Sequence, residues 1–223
     1  MNGSLRIWRV LIAAIACLGP VLQYGLMVYD ETLVSAAVKS VEFFSYFTVL
    51  SNMLAAAALT APLVAPSTTR PFGRFAVWAE QSGPRAAIAT YLTITAVVYH
   101  LLLAGLWKLE GLRLVSNAIL HTVTPAAFLI DLALRGGRGE ARWIAAAKAM
   151  AFPALFGLWT LVHGALSGFY PYPFMNVAKR GYPAVVLTMV EMSLAFAAVA
   201  LVFVALSRVR AKVALVRPAP ISA

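Results

Sequence analysis

Six apolar runs, at 7–28, 43–65, 86–107, 115–134, 144–166 and 182–206, constrain this chain more than any motif in it. Each reaches the ~20 residues that a helix needs to cross a hydrocarbon core. Lipid offers no hydrogen-bond partner to a bare peptide group, so a run of this length satisfies its backbone only by coiling into a helix. Together the runs take well over half of the 223 residues. What remains is too little for a sizeable soluble domain. The predicted fold is therefore all-α: a polytopic membrane protein, a six-transmembrane-helix bundle forming one domain over 1–207, with 208–223 as a basic cytoplasmic tail expected to be disordered. Any chemistry belongs to the bundle and its short loops.

Arg6 and Arg9 at the head of the first run give it the look of a secretory signal. Five further runs follow and its apolar stretch outlasts a signal core, so it reads as a retained first helix. Cys17 is the one cysteine, which rules out an internal disulfide framework. Orientation follows from the basic residues, which stay preferentially on the cytoplasmic side. One set of alternate segments holds Arg6, Arg9, Arg70, Arg74, Arg85, Arg135, Arg138, Arg142, Arg208, Arg210, Lys212 and Arg217; the other holds Lys39, Lys108, Arg113, Lys179 and Arg180. Both termini are thereby expected in the cytoplasm. The net charge of +10 has the same origin. Cations scattered at helix ends meet anionic lipid heads, and with no nucleic-acid-binding motif beside them, nucleic acid is not an expected partner.

Two connections stand out. Residues 66–84 are basic and punctuated by Pro and Gly, contain Phe72, Phe75 and Trp78, and are expected as a loop lying in the cytoplasmic interface. Residues 167–181 carry Phe169-Tyr170-Pro171-Tyr172-Pro173-Phe174, too rich in proline for a helix. These aromatics either anchor the protein among the headgroups or fold as a lid over a pocket mouth, which Tyr172 would line.

Polar groups inside a span are costly, so they are the best guide to function. At a rise of ~1.5 Å per residue, Gln23, Thr48, Asn52, His100, His121, His163 and Glu191 fall between about 5 and 13 Å below the outer helix ends. Six spans contribute to this layer. One polar chamber open toward the outer leaflet would satisfy them together. The inner half is expected to be mostly apolar, with Asp131 and Lys148 snorkelling from near the cytoplasmic ends.

Thr48 and His121 form the leading pair. A hydroxyl is a weak nucleophile until a base takes its proton, and imidazole suits that role near neutral pH. Thr48, Ser51 and Asn52 share one helix face at i, i+3 and i+4, as do Asn117 and His121 at i, i+4. The alternative for Thr48 and Ser51 is a hydroxyl bonded to its own helix backbone. His100 is either a packing residue bonded to a neighbouring helix or a chamber-lining one, and His163 is either interfacial or pocket-lining. Ser51, Thr124, His163 and Tyr172 complete the expected pocket lining.

The segments Tyr46-Phe47-Thr48-Val49-Leu50-Ser51-Asn52 and Asn117-Ala118-Ile119-Leu120-His121-Thr122-Val123-Thr124-Pro125 resemble the paired threonine and histidine segments of the androgen-induced-gene family. The resemblance extends in span order over most of the chain, and the Ser51-Asn52 pair resembles the bacterial six-span branch, the Pr6Pr-type proteins. Eukaryotic members are threonine hydrolases of fatty acid esters of hydroxy fatty acids. The resemblance implies a membrane esterase of a bacterial cytoplasmic membrane, with Thr48 as nucleophile, His121 as base and a lipid ester as substrate. An oxyanion formed there would need donors, for which Asn52, Asn117 and Gln23 are candidates, and Glu191 or His100 would orient His121. Asp131 is too far to do so, about 15 Å along the same helix.

Two other classes use the same residue types. A proton-coupled transporter of a small or lipidic substrate would employ Glu191 and the histidines along an aqueous route to both faces. A haem-binding membrane protein would employ a histidine pair on facing helices. There is no HExxH or Cys cluster, so no metal is expected, and no mid-span lysine for retinal. The expectation is an enzyme without a cofactor.

Overall fold

In the computed structural model the chain is described over residues 3–65 and 71–216. Its helices in order are α1 (Gly3–Val28), α2 (Leu33–Phe44), α3 (Phe47–Val64), α4 (Pro71–Ala79), α5 (Ser82–Leu103), α6 (Gly111–Arg135), α7 (Ile144–Ser167) and α8 (Val177–Val216). All but α2 and α4 are long and apolar enough to cross a membrane, and the protein is an all-α six-helix membrane bundle. Among the described residues there is no strand; an isolated bridge joins Gln81 to Arg138.

Apolar side chains gain nothing by leaving lipid for a neighbouring helix, so the bundle needs close packing and polar ties. Small residues supply the first. Ala13 and Ala16 of α1 are buried with Ala55, Ala56 and Ala58 of α3 in one core cluster. Gly19 lets α1 approach α6, since a Cβ there would stand 2.8 Å from Ile119 Cγ2.

The polar tie is an ionic network at the end where α1 begins and α8 ends, here the terminal end. Arg9 pairs with Glu80, Arg85 Nη2 donates to Asp131 Oδ2 at 2.6 Å, and Arg135 Nη2 donates to Glu80 Oε2 at 3.2 Å. Arg9 also donates to the Ala58 carbonyl at 3.3 Å. Arg210 of α8 donates to the carbonyls of Ala133 and Leu134. Four spanning helices besides α3 are thus joined at one level. This overturns two expectations: Asp131 does not snorkel but is fully buried, and the terminal half is not simply apolar, because Arg9 and Arg85 are buried in it as well. Charges near helix ends can escape to water only if no counter-charge meets them first.

The loop expected over 66–84 lies partly outside the described residues at 66–70; of the rest, 71–79 and 82–84 are helical, with Glu80 and Gln81 between them. In α4, Gly73, Ala76 and Ala79 form a buried stripe at three-residue spacing, while Pro71 opens the helix where a missing N–H costs nothing. Sequence reading likewise missed α2, whose Leu33, Val34, Val38, Val41 and Phe44 remain exposed beside the bundle. The basic tail also begins later than expected, since α8 stays helical to Val216 and residues 217–223 lie outside the described region.

Burial raises the Glu80 carboxyl, but the hydrogen bond and charge of Arg9, with Arg135 and Arg85 behind it, outweigh burial and hold it below the usual carboxylate range. A carboxylate lowered in the folded state stabilises the fold above its unfolded pKa, about 4.3, and loses that contribution as pH falls through the lower folded value. Thermal unfolding in detergent should therefore show Tm falling as the pH drops below about 4.3, a fall that Glu80→Gln reduces. Arg85→Ala, which leaves buried Asp131 with only the longer 3.9 Å approach of Arg135, should cost about 3 kcal/mol in the same assay at neutral pH.

Candidate functional site

The chain turns sharply between α2 and α3. Tyr46 caps α3 with extended backbone angles and no side-chain bond, so the first amides of α3 face away from any helical carbonyl. Thr48 sits in that first turn. Its N–H donates to Tyr172 Oη at 3.2 Å, and the same phenol lies 3.4 Å from Thr48 Oγ1.

The opposing wall is a distortion of α6. From Ile119 to Val123 the helix widens to a π turn, in which the Thr124 N–H reaches back to the Ile119 carbonyl. Pro125 has no N–H to offer, so the Leu120 carbonyl is left without a partner in its own helix. Asn52 supplies it: Nδ2 donates to Leu120 O at 3.0 Å and to Thr48 O at 2.8 Å. This ties α3 to α6 one turn below Thr48. A second π turn, Tyr99–Leu103, ends α5, and single π turns of this kind concentrate at functional sites.

His121 stands on the π turn. Its Nδ1 lies 3.1 Å from the Asn117 carbonyl oxygen and its Nε2 lies 3.3 Å from Thr48 Oγ1. A carbonyl can only accept, so the proton belongs on Nδ1, which leaves the Nε2 lone pair facing the threonine hydroxyl. Tyr99 stacks on the imidazole at a centroid separation of 4.0 Å, and its hydroxyl accepts from Asn117 Nδ2 at 2.6 Å. The ring is therefore held at its edge and on its face. Protons can run in one direction: Tyr172 donates to Thr48 Oγ1, Thr48 donates to His121 Nε2, and His121 Nδ1 donates to Asn117.

Burial pushes the Tyr172 phenol up, so at neutral pH it stays a protonated donor. The loop bearing it is folded into the bundle. Pro171, Tyr172 and Met175 are buried, and Tyr172 and Phe174 stack with centroids 5.3 Å apart. This favours the lid over the headgroup anchor for Tyr172.

Beside Thr48 lies a cavity of about 110 Å³ between α3, α5, α7 and α8. Thr48, Thr95 and Tyr172 line its polar end; Phe47, Ile94, Phe156, Met189, Met192 and Phe196 are among its apolar walls.

The expected layer across six spans is not one chamber. Thr48, Ser51, Asn52, Asn117, His121 and Tyr172 come together, but each role differs. Ser51 is fully buried and donates to the Thr48 carbonyl at 3.1 Å, with Thr95 Oγ1 3.2 Å away. Asn52 gives its amide hydrogens to the Leu120 and Thr48 carbonyls, and Asn117 gives one to the Tyr99 hydroxyl. Gln23 accepts from Ser116 at 3.0 Å, on another side of α6. Thr124 is buried below His121 with its hydroxyl unpartnered among the described residues.

The other histidines have separate partners. His100 is exposed and pairs with Thr122 at 3.0 Å. His163 Nδ1 lies 3.1 Å from Ser45 Oγ, which also accepts from Trp159 Nε1 at 2.9 Å and donates to the Val41 carbonyl at 2.7 Å. Glu191 is exposed on the outside of α8, with no hydrogen bond among the described residues. The contact to His121 Nδ1 expected of Glu191 or His100 is made by the Asn117 backbone carbonyl. Tyr99 was missed because a phenol in a span passes for an apolar residue; its position beside His100 was the available signal.

No protein-family model, curated protein or solved structure matches this chain. Asn52→Leu should leave the Leu120 carbonyl unpaired, at a cost of about 1–3 kcal/mol in a thermal melt.

Proposed function

We propose that this protein is an intramembrane lipid-ester hydrolase in which Thr48 is the nucleophile and His121 the general base. The observation that carries the reading is the 3.3 Å approach of Thr48 Oγ1 to a His121 Nε2 whose tautomer is set by the Asn117 carbonyl. That is the arrangement a weak nucleophile requires: a base within bonding reach and a third group to orient the base.

In the reaction, His121 Nε2 takes the Thr48 hydroxyl proton as the oxygen attacks the ester carbonyl. As the substrate oxygen enters between them, the Tyr172 hydroxyl and the Thr48 N–H exchange their mutual hydrogen bonds for it and meet the tetrahedral oxyanion at the start of α3, where the helix dipole also favours negative charge. Collapse expels the alcohol, which receives its proton from His121, and leaves an acyl-threonine. Water, deprotonated by His121, then attacks the acyl carbonyl; the carboxylic acid departs and Thr48 recovers its proton. The apolar cavity beside Thr48 supports a fatty acyl substrate. The likeness to the androgen-induced-gene family supports fatty acid esters of hydroxy fatty acids as one class to assay. The distribution of basic residues supports a cytoplasmic membrane with the site toward the outer leaflet. Transport has less support, because Glu191 faces away from the polar cluster.

The test is hydrolysis of a panel of lipid esters by purified protein in detergent. His121→Ala should lower kcat/KM by at least ~100-fold. Thr48→Ala should abolish turnover and labelling by a fluorophosphonate probe, with Tm preserved. Tyr172→Phe should lower kcat by roughly 10²-fold with little change in KM. Undiminished turnover in Thr48→Ala would end the proposal.

A further inference from the structure

The cavity beside Thr48 has a direction. From its polar end at Thr48 and Tyr172 it runs inward to Ala154 of α7 and Ser193 of α8, both of which are also exposed on the outside of the bundle. Counted back from Ser167, Ala154 lies about 20 Å along α7, at or just past the middle of a hydrocarbon core about 30 Å thick. The Ser193 hydroxyl donates to the Met189 carbonyl at 2.8 Å, so it presents no unpaired donor to lipid there. Gly157 keeps the passage narrow but clear, since a Cβ at this position would stand 2.9 Å from Met189 Cε. Met175, Met189 and Met192 supply unbranched, adaptable walls.

An ester in a leaflet lies with its carbonyl near the headgroups and its acyl chain toward the midplane, the same order as the hydroxyl and the apolar walls of this cavity. We infer that the seam between α7 and α8 is a lateral portal from the bilayer and that the cavity is a slot for one straight acyl chain, its tail toward the midplane and its carbonyl at Thr48. The identification of the guest as an ester rests on the hydrolase reading; the slot for an apolar chain rests on the cavity and its opening.

Two substitutions address it. Gly157→Val fills the slot against the flexible end of Met189, and Ala154→Trp covers the portal from an exposed position that leaves the core intact. With p-nitrophenyl acetate and p-nitrophenyl palmitate as substrates, both variants should lose palmitate turnover by roughly 10-fold or more, because a filled or covered slot no longer admits the long chain, while acetate turnover stays within about 2-fold. Equal losses on the two esters, or none, would overturn the slot. The second readout is photocrosslinking of a diazirine-bearing palmitic acid in proteoliposomes. Adducts should map to cavity-lining peptides of α7 and α8 and fade in Gly157→Val. If no ester is turned over but these adducts form and fade, the hydrolase reading falls and the slot stands. Adducts spread over every lipid-facing helix, unchanged by Gly157→Val, would remove the slot whatever the turnover.

Discussion

The bond from the Asn52 carboxamide to the Leu120 carbonyl determines how α3 and α6 face one another, and the candidate site depends on it. Its origin is a local conflict. A π turn followed by Pro125 strands a carbonyl inside a membrane-spanning helix, where an unpaired acceptor is costly. The only cheap remedy is a side-chain donor from the next helix. Because Asn52 lies one turn beyond Thr48, the remedy also brings the threonine hydroxyl to the imidazole. Widening of the helix and docking of Thr48 are two results of one constraint.

The same physics acts at the terminal end with charges in place of amides. Arg9, Arg85 and Arg135 meet Glu80 and Asp131 in a buried network linking α1, α5 and α6, with Arg210 adding α8. Breaking such a network exposes an unpaired charge, so it limits sliding and rotation of the helices. The bundle is thereby pinned at two levels, ionic at one end and hydrogen-bonded toward the other. Between and beside them lies the Phe- and Met-lined cavity. A rigid polar site next to an adaptable apolar slot is the division of labour that the proposed chemistry needs.

Much of the fold was legible because the bilayer reduces the problem to length and hydropathy. The six spans lie within a few residues of their expected bounds, apart from the longer inner end of α8. Of the site, Thr48 and His121 were legible as intramembrane polar groups of one layer. Depth, however, is one coordinate of three. It grouped Gln23, His100, His163 and Glu191 with the pair, whereas rotation about each helix axis sends Gln23 to Ser116, His100 to Thr122, His163 to Ser45 and Glu191 to the exterior. The reading of α4 as loop failed for a related reason: Pro and Gly were weighed as helix breakers, while Gly73 with Ala76 and Ala79 makes a smooth packing stripe.

The amino-acid sequence by itself determined that this chain is a six-helix membrane protein and that a few polar residues must find partners inside it, because apolar length and the cost of unpaired groups are properties of residues alone. Tertiary structure decided which partners they find. The direction each side chain takes depends on helix rotation, on a π turn that shifts register by one residue, and on a loop that folds Tyr172 inward onto Thr48. Those are set by contacts between segments far apart in the chain, and no local pattern encodes them.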